Sequence, residues 1–173
     1  MSEALFPKHF LAQRRLGSSV PTLITKVSQV TLLVRDQEEA LRWYMEKLGF
    51  EKRSDDSTSV PGFRWLTIAP RHQKELEIVL GKPGSKEGMD MVGKQPGNMQ
   101  GHPEAIWVLE TDDCKQTYLD LKAKGVEFLS TPEERPYGVE ALFKDLYGYV
   151  YDLVEPRQWQ MTEQKKIIMA EAE

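Results

Sequence analysis

The spacing of hydrophobic residues changes from a period of two to a helical period near the start of the chain. In the segment VSQVTLLV, apolar residues alternate with polar ones as on a β-strand that is buried on one side. From Asp36 to Leu48 the apolar residues are spaced as on one face of an α-helix. Asp36 with Glu39 resembles a capping box, and Gly49 is a typical helix end. Residues 27–51 therefore predict a strand followed by a helix.

The same pattern recurs in the second half of the chain. Asp113 with Gln116 can cap a second helix, which Gly125 can end. The sequence LGFE aligns with KGVE at an offset of 76 residues. Three strand-like runs follow each helix, at 50–53, 63–69 and 75–80 in the first half and at 126–130, 138–143 and 149–154 in the second. This order predicts an α+β fold of two βαβββ modules, with eight main strands in a curved sheet covered by two helices.

The two modules fit one compact domain. We predict this domain over residues 26–156, with modules at 26–80 and 104–156. Residues 81–103 are rich in Gly, Pro and Lys, which is typical of a linker. An N-terminal extension over residues 1–25 and a C-terminal extension over residues 157–173, which can be helical, lie outside the repeat.

Alternation along the strands predicts which side chains lie on the open face, the sheet face that the helices do not cover. Val30, Leu32 and Val34 belong under the first helix, so Gln29 projects from the opposite face. Alternation along the other strands, together with the repeat, predicts that mostly polar and aromatic side chains lie on this open face. These side chains are Thr31, Phe63, Trp65, Thr67, Glu75, Glu77 and Val79, then Ala105, Trp107, Glu140, Leu142 and Asp152. A concave face with carboxylates, an amide and two tryptophans indicates a ligand pocket.

Composition narrows the range of partners. The chain has 23 basic and 27 acidic residues and a formal net charge of -4, which argues against a nucleic-acid partner. Cys114 is the single cysteine, so no internal disulfide can form, and a reducing compartment such as the cytoplasm is expected. The N-terminal stretch is broken between Gly17 and Pro21, and no segment reaches the ~18 apolar residues of a membrane helix. We therefore expect neither a signal peptide nor a membrane partner.

Three segments together resemble the vicinal oxygen chelate superfamily, also called the glyoxalase/bleomycin resistance/dioxygenase superfamily. They are VRDQEEALRWYMEKLGFE, ETDDCKQTYLDLKAKGVEFLSTPEERPYG and FKDLYGYVYDLVEP, and the resemblance extends over residues 26–156. It implies that two βαβββ modules form one cup. In the enzymes of the family, four side chains in this cup hold a divalent metal, one from the first and one from the last strand of each module. Together with the long linker, the resemblance implies a homodimer whose modules pair within a chain or between chains.

The resemblance points to four positions in this sequence. Gln29 and Glu77 match the two metal ligands of the first module. Asp152 matches the last ligand, where the family most often has glutamate, and is shorter by one methylene. Ala105, which follows from Gln29 by the offset of 76, has no donor atom. At most three protein ligands remain, so we expect a site for Zn²⁺, Ni²⁺ or Mn²⁺ that is weak or empty.

Two functions for a small-molecule ligand remain open. A glyoxalase-like lyase or isomerase would use the three metal-ligand positions, with Asp152 and Glu77 as catalytic residues and Asp152 as both ligand and general base. A metal-free protein, similar to the bleomycin resistance members, would sequester a cationic or planar compound through stacking and charge. The predicted substrate contacts are Trp65, Thr67, Trp107, Tyr137 and Glu140. Iron dioxygenase chemistry is disfavoured because none of the four matched positions is a histidine.

Overall fold

The computed structural model describes residues 24–94 and 105–157. The predicted C-terminal helix, most of the N-terminal extension and part of the linker lie outside these residues. None of the helices in the described ranges has the length and apolar character that crossing a bilayer requires.

Two βαβββ units make up the described chain, as the sequence predicts. The first half contains β1 (Gln29–Leu33), α1 (Gln37–Leu48), β2 (Phe50–Asp56), β3 (Trp65–Pro70), β4 (Glu77–Gly81) and α2 (Lys86–Met91). The second half contains β5 (Trp107–Glu110), α3 (Cys114–Ala123), β6 (Glu127–Phe128), β7 (Glu133–Arg135), β8 (Gly138–Lys144) and β9 (Val150–Pro156). Helix α2, of six residues, and strand β7, of three, are additions to the predicted eight strands and two helices. Both are too short to give a clear periodic signal in the sequence.

Each half has its own sheet. The first sheet has the strand order β1-β4-β3-β2, with β1 parallel to β4 and the other pairs antiparallel. The second sheet has the order β5-β9-β8-β6, with β5 parallel to β9, and β7 also pairs with β8. Strands β1 and β5 lie at the sheet edges. Within the described chain, each of them therefore leaves one side of its backbone free to pair with another strand.

Helices α1 and α3 begin at the predicted caps. The Asp36 carboxylate accepts a hydrogen bond from Glu39 N at 2.9 Å, Gly49 ends α1 with a φ of 71°, and Asp113 caps α3. In a complete capping box, Glu39 would accept the hydrogen bond of Asp36 N. Here Asp36 N donates to the Tyr147 hydroxyl at 3.1 Å, and that hydroxyl donates to the Glu39 carboxylate at 3.2 Å. The second half of the chain thus completes the cap of α1.

Helix α1 lies between the two sheets. The Tyr44 hydroxyl on α1 donates to the Asp145 carboxylate at 2.6 Å and lies 2.7 Å from the Tyr151 hydroxyl. Tyr44 and Tyr151 belong to one core that contains helix-facing side chains of both sheets. Where α1 and α3 end, the Lys124 ammonium donates to Lys47 O at 3.1 Å. The helix-covered faces of the two sheets therefore share one core, and buried open-face residues such as Val79 and Val154 are not part of it.

Candidate functional site

The open face of the first sheet carries the predicted pair Gln29 and Glu77. These residues are register partners on β1 and β4, and the Gln29 amide nitrogen donates to a Glu77 carboxylate oxygen at 3.4 Å. Thr31 and Val79 are the next register partners on this face, as alternation along the strands predicts. The structure thus places two of the three predicted metal ligands together.

The other predicted contacts on this face, Trp65 and Thr67, differ in accessibility. Trp65 is 38% exposed, and its ring centroid lies 5.8 Å from that of Phe63. Thr67 is fully buried, and its hydroxyl oxygen accepts a hydrogen bond from Ser54 N at 3.0 Å beside a bulge in β2. Within one chain, Trp65 is accessible to a ligand, whereas Thr67 holds β2 to β3.

Asp152 and Glu140 lie together on the open face of the second sheet. Asp152 is the register partner of Leu142 on β8 and of Val108 on β5. Glu140 precedes Leu142 by two residues on the same strand, so its side chain projects from the same face. This face therefore combines the carboxylates of Asp152 and Glu140 with the apolar side chains of Val108 and Leu142.

Two neighbours hold Glu140. Arg135 Nε donates to one carboxylate oxygen at 2.6 Å, and the Tyr137 hydroxyl donates to the other. The hydrogen bond to Glu140 raises the pKa of Tyr137 to about 12, because it keeps the phenol protonated. Arg135 also contacts Glu133 at 3.0 Å, nearer to solvent. Both oxygens of Glu140 are thus engaged within the chain.

Asp152 differs from Glu140 in its partners. Its Oδ1 atom is buried and has no hydrogen-bond partner in the described part of the chain. Burial raises the pKa of Asp152 to about 6, with the Glu140 carboxylate as a second cause, while Arg135 opposes the shift. A buried acceptor without a donor costs on the order of 1–3 kcal/mol. Asp152 is therefore the residue on this face that would gain most from a donor outside the chain.

The predicted position of Trp107 on the open face is wrong. Trp107 is the register partner of Tyr151, and the two ring centroids lie 5.7 Å apart in the core. The helix caps Asp36 and Asp113 are 77 residues apart, one residue more than the offset that aligns the helix ends. A shift of one residue turns a strand over, so β5 presents Val108, which is 60% exposed, on its open face.

Arg135 is a residue of this face that the sequence analysis missed. It lies on β7, which forms a hairpin with β8, and Glu133 on the same strand is the register partner of Glu140. The available signal was the alternation of Glu133 and Arg135 just before the turn at Pro136 and Tyr137. Strand β7 has three residues, which are too few for this alternation to indicate a strand.

The residues of one chain do not fit the metal site that the family implies. The two first-half ligands lie on one sheet and Asp152 lies on the other. In the described ranges, no group of three or more His, Cys, Asp or Glu residues could hold an ion. With the corrected offset, Ile106 matches Gln29 in the second half, and like Ala105 it offers no donor.

A cavity of about 470 Å³ lies apart from the Gln29–Glu77 pair and from Asp152 with Glu140. It is bounded by the start of α1, the β2–β3 loop and the residues after β4, and its side chains include Gln37, Phe63, Arg64 and Lys82. The Arg64 guanidinium is already paired with Asp55 and Glu38, each at 2.7 Å. Neither Gln29 with Glu77 nor the Asp152 group lines this cavity.

Two βαβββ units with polar open faces define a fold of the glyoxalase and bleomycin resistance type. A family model described as the Glyoxalase/Bleomycin resistance protein/Dioxygenase superfamily matches residues 26–153. The chain belongs to this superfamily, which confirms the resemblance identified in the sequence. Proteins of this family bind small molecules.

Three relatives illustrate the similarity. An uncharacterized protein of Shewanella frigidimarina (strain NCIMB 400) is 30% identical over 129 residues, which cover 75% of this chain and 92% of the relative. The crystal structure of a superfamily member from Sphaerobacter thermophilus DSM 20745 is 33% identical with a TM-score of 0.62, and the match covers 78% of this chain and 99% of that chain. The crystal structure of TnmS3, an antibiotic binding protein from Streptomyces sp. CB03234, is 28% identical with a TM-score of 0.61. This match covers 79% of this chain and 100% of that chain.

Proposed function

We propose that this protein binds a small organic molecule without a resident metal ion and without converting it. The observation that carries the proposal is the buried Asp152 oxygen, which lacks a donor beside a Glu140 carboxylate that is already engaged. Such a group offers a hydrogen bond and charge to a ligand, while Val108 and Leu142 on the same face offer apolar contact. The similarity to an antibiotic binding protein supports the same class of ligand.

A metal-assisted lyase or isomerase is the second candidate, and the Gln29–Glu77 pair favours it. Both side chains lie where the family implies metal ligands, and they are register partners on adjacent strands. Zn²⁺, Ni²⁺ or Mn²⁺ held there would also need Asp152, which would then serve as ligand and general base. We place this function second because Ile106, which matches Gln29 in the second half, offers no donor atom.

The first test compares organic compounds with metal ions as ligands of the full-length chain. We expect calorimetry with a panel of planar and cationic natural-product antibiotics to give at least one complex with a Kd of about 1 μM or tighter, and the compound to be recovered unchanged. A Trp65→Ala variant should weaken that complex about tenfold through the loss of ring contact. Leu119→Ala, on the exposed surface of α3, is the matched control and should leave the affinity unchanged.

Metal binding would decide against this proposal. A stoichiometric ion that resists dialysis against a chelator, and is lost in Glu77→Ala, would favour the lyase or isomerase. Chemical conversion of a bound compound would do the same.

We propose further that a second chain completes the cup. Within the described chain the two open faces belong to separate sheets and lie outside the shared core, and the edge strands β1 and β5 each have one side available for pairing. Pairing of β1 with β5 of a second copy would form one continuous sheet and bring Glu77 of one copy toward Asp152 of the other. A two-fold axis repeats this contact, so the dimer is closed and has two cups.

Mixing of two defective chains tests this arrangement. Trp65→Ala alters the first open face and Asp152→Ala the second, so each homodimer has two altered cups. If cups form between chains, the mixed dimer has one wild-type cup, and random mixing should restore about a quarter of the wild-type binding capacity. If cups form within chains, mixing restores nothing. Light scattering that shows a monomer at micromolar concentration would also contradict the proposal.

A further inference from the structure

We infer that the Asp152 carboxylate is the ligand-contacting acceptor of the second open face and that it accepts a hydrogen bond from a positively charged nitrogen. This inference rests on the proposed function and specifies its ligand class, an organic ammonium that carries an apolar or aromatic body. It also separates the roles of two neighbouring carboxylates, Asp152 and Glu140.

Glu140 is not available to a ligand in the folded chain. It is 8% exposed, and its two oxygens accept hydrogen bonds from Arg135 Nε and from the Tyr137 hydroxyl. The guanidinium at 2.6 Å compensates its negative charge. A ligand would have to displace one of these partners before it could contact Glu140, so this residue supports the face rather than contacting the ligand.

Asp152 has the opposite properties. The residue is half-buried, so a ligand can reach its carboxylate, and its Oδ1 atom has no partner in the described chain. The side chains of its register partners Val108 and Leu142 are apolar and cannot donate. A ligand with a donor group can therefore supply a hydrogen bond that the described residues do not. Because Arg135 is paired with Glu140, it does not form an ion pair with Asp152.

The charges on this face favour a cation. Besides Asp152, Glu110 on β5 lies on the same face, as the register neighbour of Val154. Lys144, a further cation on this face of β8, pairs with Glu127 at 3.2 Å and so does not offset the carboxylates. One free carboxylate with apolar neighbours suits a single ammonium, whereas a divalent metal requires several ligands.

Arg135 is then a specificity residue that acts through Glu140. By holding Glu140 it leaves Asp152 as the free carboxylate beside Val108 and Leu142. In an Arg135→Gln variant, Glu140 loses its compensating charge, and the face becomes more attractive to a cation. Arg135 thus limits the affinity for an ammonium, whereas Asp152 creates it.

The experiment uses three probes of similar shape: benzylammonium, benzyl alcohol and benzoate. They are titrated into full-length protein at pH 8, and backbone amide shifts are followed by NMR. We expect benzylammonium to shift the amides of Val108 and Asp152 and to bind at least about tenfold more tightly than benzyl alcohol, with benzoate weakest. Asp152→Asn keeps the shape of the side chain and should abolish the preference for the ammonium. Arg135→Gln should increase that preference a few-fold.

Asp112→Asn is the control, because this exposed carboxylate lies in the bend between β5 and α3, outside the strands that form the open face. It should leave all three affinities unchanged. Unchanged amide spectra away from the site establish that each variant is folded.

Several results would overturn the inference. These are equal binding of the three probes, an unchanged preference in Asp152→Asn, and no probe binding at these amides. If Asp152→Asn instead weakens the dimer and leaves benzylammonium binding intact, the donor belongs to a second chain. If a compound of the antibiotic panel binds Asp152→Asn as tightly as wild type, the inference fails while the proposed function stands.

Discussion

Gly138→Ala is expected to lower the free energy of unfolding by about 3 kcal/mol or more. A Cβ atom built on Gly138 lies 2.1 Å from Glu155 O and 3.1 Å from Arg157 N, and both contacts are with backbone. Because backbone cannot turn aside as a flexible side chain can, β8 and β9 must separate at this point. Denaturation in guanidinium, followed by tryptophan fluorescence, measures the loss. The adjacent Tyr137 should also move away from Glu140, so any folded fraction should bind ligand more weakly.

Gly125→Ala is the matched control for this effect. Gly125 has a φ of +80°, but no atom lies within 4 Å of a Cβ built there. Its replacement should cost about 1–2 kcal/mol for the left-handed conformation alone. Equal losses in the two variants would show that the close approach of β8 and β9 is not the cause.

Helices α1 and α3 could be predicted from sequence because their signals are local. Asp36, Gly49 and Asp113 act within one turn of the helix that they begin or end, and the apolar stripes follow from the helical period alone. The contacts that join the halves are not local. Tyr147 completes the cap of α1 from 111 residues away, and no pattern around Asp36 indicates this partner.

The open faces were predictable only as far as the strand register was known. Alternation placed Glu140 and Asp152 on one face because β8 and β9 have seven residues each, which is long enough for a clear pattern. Strand β5 has four residues, and its faces were assigned through the repeat. The helix caps are 77 residues apart, whereas the repeat was aligned at an offset of 76. This difference of one residue exchanged the predicted faces of Trp107 and Val108. Arg135 determines that Glu140, and not Asp152, is engaged within the chain. Arg135 lies on β7, which has only three residues, so the sequence did not indicate this contact.

Asp145→Ala is expected to lower the free energy of unfolding by about 3 kcal/mol, because it removes the acceptor that joins the two halves. The carboxylate is buried and accepts hydrogen bonds from the Tyr44 hydroxyl at 2.6 Å, from Tyr147 N at 2.8 Å and from Tyr149 N at 2.9 Å. Alanine leaves the two backbone donors without this acceptor in the interior. Chemical denaturation measures the loss, and Tyr44→Phe, which removes one donor and leaves the carboxylate, should cost less.

Asp145→Asn separates the charge of this side chain from its shape. Burial raises the pKa of Asp145, although the hydrogen bonds from Tyr44 and the backbone oppose the shift. A carboxyl with a raised pKa binds its proton more tightly in the folded state. Its contribution to stability is therefore full below the unfolded pKa of about 3.9 and decreases as the pH rises through the folded pKa. The stability of the wild type relative to Asp145→Asn should thus fall above about pH 4. A relative stability that rises with pH would instead show that the hydrogen bonds from Tyr44 and the backbone outweigh the cost of burying the charge.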